Sequence, residues 1–133
     1  MSVVVDASAM VVLLTDAGSG KGSWVGERLR GEQVIAPHLL GVEVAHTLRR
    51  ITRSGTVTSS QASIALAEMV SFPIRQVGFA PVAARVWELR DSVSSYDAWY
   101  VAVAEAARAP LVTLDARLAR APGLRCAFSV PPL

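Results

Sequence analysis

At 133 residues the chain is long enough to build one domain around its own core and too short for two. It is 52% hydrophobic, rich enough to suggest a partner-covered surface, yet Asp6, Glu43, Asp97 and Glu105 break every apolar run before the ~20 residues that span a bilayer. Net charge is only +2, and Cys126 is the single cysteine, which excludes an intramolecular disulfide and, with no Cys or His partners nearby, a zinc motif. Twelve of the 13 basic residues are arginine and only Lys21 is lysine. Arginine's planar fork suits phosphate, but codon bias in a G+C-rich genome gives the same composition, so charge alone names no partner. Met-Ser-Val-Val-Val-Asp lacks the basic region and cleavage pattern of a signal peptide, and the expected location is the cytoplasm.

Taken in order, residues 2–5 carry three consecutive valines without polar alternation, the pattern of a parallel strand covered on both faces. Asp6 ends this strand, as a helix-capping carboxylate or as a site residue, and the apolar run resumes over 9–14 behind a cap expected at Ser8. Residues 16–22 are glycine-rich around Lys21, but Thr15 and Gly22 stand where a phosphate loop needs Gly and Ser or Thr; a flexible loop is expected, then a helix over 23–30 with Trp24 inward. A second strand over 33–36 closes at Pro37, which is placed to open a long helix ending at Ser54 before Gly55. Leu40, Val44, Leu48 and Ile51 form its buried stripe. Glu43 borders that stripe, either as a solvated rim residue or as a site residue. Arg49, Arg50 and Arg53 close the helix, where they oppose its dipole or contact phosphate.

Thr58 and Gln61 predict a capping box for a helix with Ile64, Leu66, Ala67 and Val70 as its apolar positions, ended by Pro73. A third strand over 74–77, a Gly78 turn and a helix from Pro81 to about Asp91 follow. His38 and His46, eight apart, read as surface or partly buried polar residues. Ser94 precedes a helix with Asp97 on its first turn; residues 111–114 form a fourth strand, then come Asp115, a short helix over 116–121 and a last strand over 125–130. This alternation predicts a single α/β domain over 1–133: three layers, a mostly parallel sheet of about five short strands, helices on both faces.

In such a sheet Asp6 and Asp115 both lie at the carboxyl edge, and a helix entering there carries Asp97 on its first turn. Like-charged carboxylates ~4 Å apart repel by roughly 4 kcal/mol at an intermediate effective dielectric, so a positive group belongs among them. Hard oxygen donors without a His or Cys cluster point to Mg²⁺ or Mn²⁺, and in the absence of metal at least one acid has a raised pKa.

Asp6-Ala7-Ser8 after VVV, Glu43 in GVEVAHTLRR, Tyr96-Asp97-Ala98 opening a helix and Thr113-Leu114-Asp115 before Ala-Arg-Leu resemble, in order and spacing, the four acidic motifs of the PIN-domain nucleases. The compact length resembles the VapC-type toxins of bacterial type II toxin–antitoxin pairs. The resemblance implies a metal-dependent endoribonuclease toxin that leaves 5′-phosphate and 3′-hydroxyl ends. On this chain it implies Asp6 and Asp97 as direct metal ligands, Glu43 and Asp115 as ligands directly or through water, and Ser8 and Thr113 as hydroxyls orienting the carboxylates. Arg117, Arg49, Arg50 and Arg53 are the candidates for RNA phosphates. It further implies a VapB-like antitoxin that covers the active-site groove and a homodimer; the interrupted apolar runs predict no membrane association.

Two other readings compete. In a non-catalytic α/β binding module the acids are helix caps, with Ser94 and Asp97 as a capping box and Asp115 capping its own helix; Glu43 fits no such role. An aspartate-type phosphotransfer domain wants a paired acid and a lysine, and the only lysine sits in the glycine loop; a haloacid-dehalogenase-like phosphatase wants Asp where Ser8 stands.

Overall fold

The computed structural model describes residues 1–132. Five strands, β1 (Ser2–Val5), β2 (Gln33–Pro37), β3 (Ile74–Val77), β4 (Leu111–Val112) and β5 (Phe128–Ser129), form one sheet in the order β3-β2-β1-β4-β5. Every pairing is parallel, with Val4 set beside both Ile35 and Leu111. Val3, Val4 and Val5 are all buried, as a strand covered on both faces requires. The helices α1 (Ala7–Thr15), α2 (Gly20–Leu29), α3 (Leu40–Arg53) and α4 (Ser59–Ser71) pack about α1. The helix α5 (Ala83–Glu88) packs on α6 (Ser95–Ala107), which lies across β1, β2 and β4. A one-turn helix, α7 (Ala116–Ala119), follows β4.

The chain lays β2 and β3 on one side of β1, then crosses to place β4 and β5 on the other. Strand order therefore reverses between β1 and β4, and the crevice beyond their carboxyl ends is the topological switch point where open α/β sheets carry their sites. Among the described residues no helix is long and apolar enough to cross a membrane.

Several local expectations are corrected. The cap of α1 is Asp6, whose carboxylate accepts from the Ala9 N–H; the helix therefore begins at Ala7 and Ser8 lies inside it. The glycine stretch is loop only up to Ser19, which caps α2 by accepting from the Gly22 N–H at 2.9 Å. A Cβ on Gly22 would lie 2.0 Å from the Asp16 carbonyl oxygen, so this glycine is there for close packing of two turns and has no need of a phosphate. Trp24 packs against the core as expected but stays half-buried; Val25 and Leu29 are the buried pair on the inner side of α2.

Pro37 pairs in β2 opposite Val77, and its missing N–H costs no bond because the next residue, His38, donates to the Val77 carbonyl. The helix starts three residues later than expected. Pro81 opens a short 3₁₀ turn, Ala80–Val82, and α5 ends at Glu88. The capping box of Thr58 and Gln61 forms as expected, but α4 buries Ala65 and Met69 and turns Ile64 and Val70 to solvent, 60% and 77% exposed. The last strand shrinks to two residues and β4 stops at Val112.

One ion pair ties the second helical layer to the chain's last segment. Arg85 Nε and Nη2 donate to Glu105 at 2.7 and 3.1 Å, Nη2 also reaches the Gly123 carbonyl, and the Arg125 N–H donates to Glu105 Oε2 at 2.8 Å. Burial alone would raise the Glu105 pKa; the Arg85 and Arg125 donors outweigh it and hold the group below its ordinary value. A carboxylate with a lowered folded-state pKa contributes stability above its unfolded value, and that stability is lost as pH falls. Glu105→Gln is expected to lower the unfolding free energy by about 1–3 kcal/mol at pH 7, with the gap to wild type closing below pH ~4.5 in denaturant melts.

Candidate active site

The turns after β1 and β4 are sewn together through one carboxylate. Asp6, 9% exposed, accepts from the Ser8 hydroxyl at 2.6 Å and the Ala9 N–H at 3.0 Å through Oδ1, and from the Thr113 hydroxyl through Oδ2. Both hydroxyls also accept: Ser8 Oγ from the Leu114 N–H of the opposite turn at 3.1 Å, and Thr113 Oγ1 from the Asp115 N–H of its own turn at 3.0 Å. Ser8 and Thr113 thus fix the Asp6 carboxylate, the role expected of them, and bind its turn to that of Asp115. Asp115 caps α7, accepting from the Arg117 and Leu118 N–H groups through Oδ1 alone. Its Oδ2 has no hydrogen-bond partner among the described residues.

Glu43 lies on the first turn of α3, beside buried Leu40 and Val44, while Leu39 ahead of it makes no side-chain cap. Asp97 lies on the first turn of α6, its N–H donated to Ser94 Oγ at 3.1 Å; the carboxylate does not return the bond that would complete a capping box. Capping therefore describes two of the four acids and leaves Glu43 and Asp97 without a structural task.

Electrostatics links the four. Burial raises the Asp6 pKa despite its three hydrogen bonds, and the Asp97 charge raises it further. Burial also raises Glu43; the Tyr100 hydroxyl opposes this, Asp97 and Asp6 add to it, and His46 opposes it weakly. Asp97 is raised by burial and then by Asp115, against the Ser94 hydroxyl. Among the described residues no ion pair involves any of the four acids. Nor is any group of three or more His, Cys, Asp or Glu side chains gathered closely enough to hold a metal as it stands. The donor set itself, four carboxylates with hydroxyls behind one of them, is that of a hard divalent ion.

Tyr100 is the residue that reading the sequence missed. It is 2% exposed and its hydroxyl lies beside Glu43, yet it makes no bond of proper geometry with any group. Burial, then Glu43, push its pKa upward, so it stays a neutral donor. Its place three residues after Asp97, on the same helical face, was the available signal.

The arginine candidates separate. Arg50 lines a groove of about 540 Å³ that reaches Ser8, whereas Arg49 and Arg53 line another, of about 350 Å³, against α4. Arg117 is exposed on α7, and only its backbone N–H meets Asp115. His38 and His46 are exposed, as expected.

A carboxyl group whose folded-state pKa is raised costs stability as pH climbs above its ordinary value, ~3.9 for Asp. In cation-free buffer Asp97→Asn is therefore expected to melt above wild type at pH 7, by roughly 2–5 °C for a domain of this size, and level with it below pH ~4. An Asp97→Asn protein that melts below wild type at pH 7 contradicts the assignment of repulsion to this site.

A family model described as PIN domain matches residues 3–124. The chain is 43% identical over 125 residues to Ribonuclease VapC1 of Mycobacterium tuberculosis, covering 92% of each chain. Its fold resembles the crystal structure of PAE2754 from Pyrobaculum aerophilum, with TM-score 0.72, 27% identity and coverage of 98% of this chain and 84% of that one. It also resembles that of VapBC2 from Rickettsia felis bound to a DNA fragment from their promoter, with TM-score 0.71, 16% identity and coverage of 99% and 100%. With its four acids set around the β1–β4 switch point and this similarity along almost its full length, the chain belongs to the PIN-domain family and stands among its VapC ribonucleases.

Proposed function

We propose that the chain is a metal-dependent endoribonuclease, the toxin of a toxin–antitoxin pair, which hydrolyses RNA phosphodiester bonds in the cytoplasm. The observation that carries this reading is the convergence of Asp6, Glu43, Asp97 and Asp115 at one sheet edge, mutually repelling and paired with no cation among the described residues. Helix capping leaves Glu43 and Asp97 unexplained, and Lys21, the lysine a phosphotransfer site would use, sits on the first turn of α2 outside the acidic group.

Bound Mg²⁺ or Mn²⁺ supplies a water of lowered pKa and neutralises charge on the scissile phosphate. Asp6 and Asp97 would hold the ion directly, and Glu43 and Asp115 would complete the set directly or through water. The Ser8 and Thr113 hydroxyls keep both Asp6 oxygens in one orientation, so little reorganisation is left for binding. Asp115 offers Oδ2, because its backbone partners occupy only Oδ1. The neutral Tyr100 hydroxyl stands ready to donate to Glu43. Attack by water needs no 2′-hydroxyl and leaves 5′-phosphate and 3′-hydroxyl ends.

The VapBC2 assembly supports an antitoxin partner for this chain, and a homodimer fits the same surface chemistry. Ile64 and Val70 on α4 lie exposed, and Ile64 borders a groove of about 630 Å³ floored by Leu13, Leu14 and Phe72. Apolar area of this kind is what a partner covers.

The reading is tested with purified protein and a pool of tRNA, rRNA and mRNA. Cleavage is expected with Mg²⁺ or Mn²⁺, none with chelator, and a loss of at least ~100-fold in Asp97→Asn, beyond the ~10–100-fold cost of removing a residue that only orients a ligand. Cutting that survives chelation, or products ending in 2′,3′-cyclic phosphate, would refute it.

A further inference from the structure

Below the acids, α3 carries a second pattern. Glu43, His46, Thr47 and Arg50 recur at the spacing of one helical face, adjacent to the buried face of Leu40, Val44 and Leu48. Two grooves run along it. One, of about 430 Å³, is lined by Ala7, Leu39, Val42, Glu43, His46, Thr47 and Tyr96. The other, of about 540 Å³, takes in Ser8, Thr47 and Arg50. They share Thr47 and meet at consecutive residues of the first turn of α1, so a single track passes Glu43 and the Asp6 turn from Tyr96 to Arg50.

The two ends differ in chemistry. Tyr96 is 62% exposed and Val42 70%, so one groove offers an aromatic ring and an apolar side chain to solvent, with an imidazole and a hydroxyl nearby. Tyr96 stacks on no other aromatic among the described residues. No lysine or arginine lines this groove, so the part of a nucleotide that fits it is the flat, uncharged base. Arg50, in no ion pair among the described residues, gives the other end a cation for a phosphate, with Asp16 the opposing charge among that groove's lining residues.

We propose that this track binds single-stranded RNA, with an unstacked base against Tyr96 on one side of the cut and a backbone phosphate on Arg50 on the other. The proposal rests on the nuclease reading and deepens it. Base–aromatic stacking tolerates every base, so Tyr96 contributes affinity and strand register and leaves sequence choice to the groove edge at His46 and Thr47. Arg49 and Arg53, which face the groove against α4, have no part in the track.

The test uses a single-stranded oligonucleotide spanning whichever site wild type cuts in the RNA pool. Tyr96→Ala is expected to raise KM roughly tenfold while Tyr96→Phe stays within about twofold of wild type. Arg50→Ala is expected to raise KM and flatten the dependence of log KM on log salt by about one phosphate contact, with Arg49→Ala unchanged in both. An abasic scan of the oligonucleotide supplies the decisive arm: at one position beside the cut, loss of the base erases the difference in KM between wild type and Tyr96→Ala. If Tyr96→Ala keeps wild-type KM, or no abasic position cancels its effect, the track is wrong although cleavage stands. If Tyr96→Ala spares RNA and weakens antitoxin binding, the groove belongs to the protein partner and the proposal fails. If wild type cuts no RNA, the nuclease reading fails first and takes this one with it.

Discussion

Asp6 is asked to be a helix cap, a stitch between two turns and a charged site residue at once. Three donors hold it: a backbone N–H of its own helix, the hydroxyl of Ser8 and the hydroxyl of Thr113 from across the sheet. They offset part of the cost of burying a charge at the centre of the fold, though burial still prevails and its pKa is raised. The parallel sheet makes this arrangement possible, because both β1 and β4 end at the same edge and the strand order reverses between them. Removing Asp6 would loosen the turns as well as the site, so the cost of its loss cannot be divided cleanly between structure and chemistry.

The remaining acids are set by elements that this edge gathers. The first turn of α3 brings Glu43 and the first turn of α6 brings Asp97, while the backbone of α7 holds Asp115 by one oxygen. Repulsion within such a set is retained only where something else is gained from it. Elsewhere the same fold satisfies an acid in the ordinary way: Glu105 takes Arg85 and a backbone N–H and its pKa falls. The contrast between a satisfied carboxylate at one end of α6 and an unsatisfied one at the other marks the site more clearly than any single shift.

Much of this was legible in the sequence, for physical reasons. Three valines in a row specify a strand covered on both faces, and strand-ending aspartates in an alternating α/β chain must share an edge, so the four acids could be brought together from the order of the chain alone. What misled was local. Asp6 and Ser8 are both good caps, and only the Asp6–Ala9 bond decides between them. α4 carries apolar residues around much of its circumference, so periodicity did not reveal that Ala65 and Met69, packed towards α1 and α3, would be the buried pair. The arginines of α3 looked alike as a cluster, yet Arg50 shares a face with Glu43 and Arg49 does not. Beyond its spacing from Asp97, nothing in the sequence sets Tyr100 apart from the apolar residues of its helix; its unpartnered hydroxyl appears only once Glu43 is placed beside it.

The central claim is that these acids, set at one sheet edge and paired with no cation among the described residues, together bind a divalent cation. Calorimetric titration of Mn²⁺ into the cation-free protein, repeated in two buffers of different ionisation enthalpy, measures binding and proton release together. Because burial raises the Asp6, Glu43 and Asp97 pKa values, binding is expected to expel more protons as pH falls, and Asp6→Asn with Asp97→Asn to abolish the heat. No binding at millimolar Mn²⁺, or binding that persists unchanged in the double variant, would contradict it.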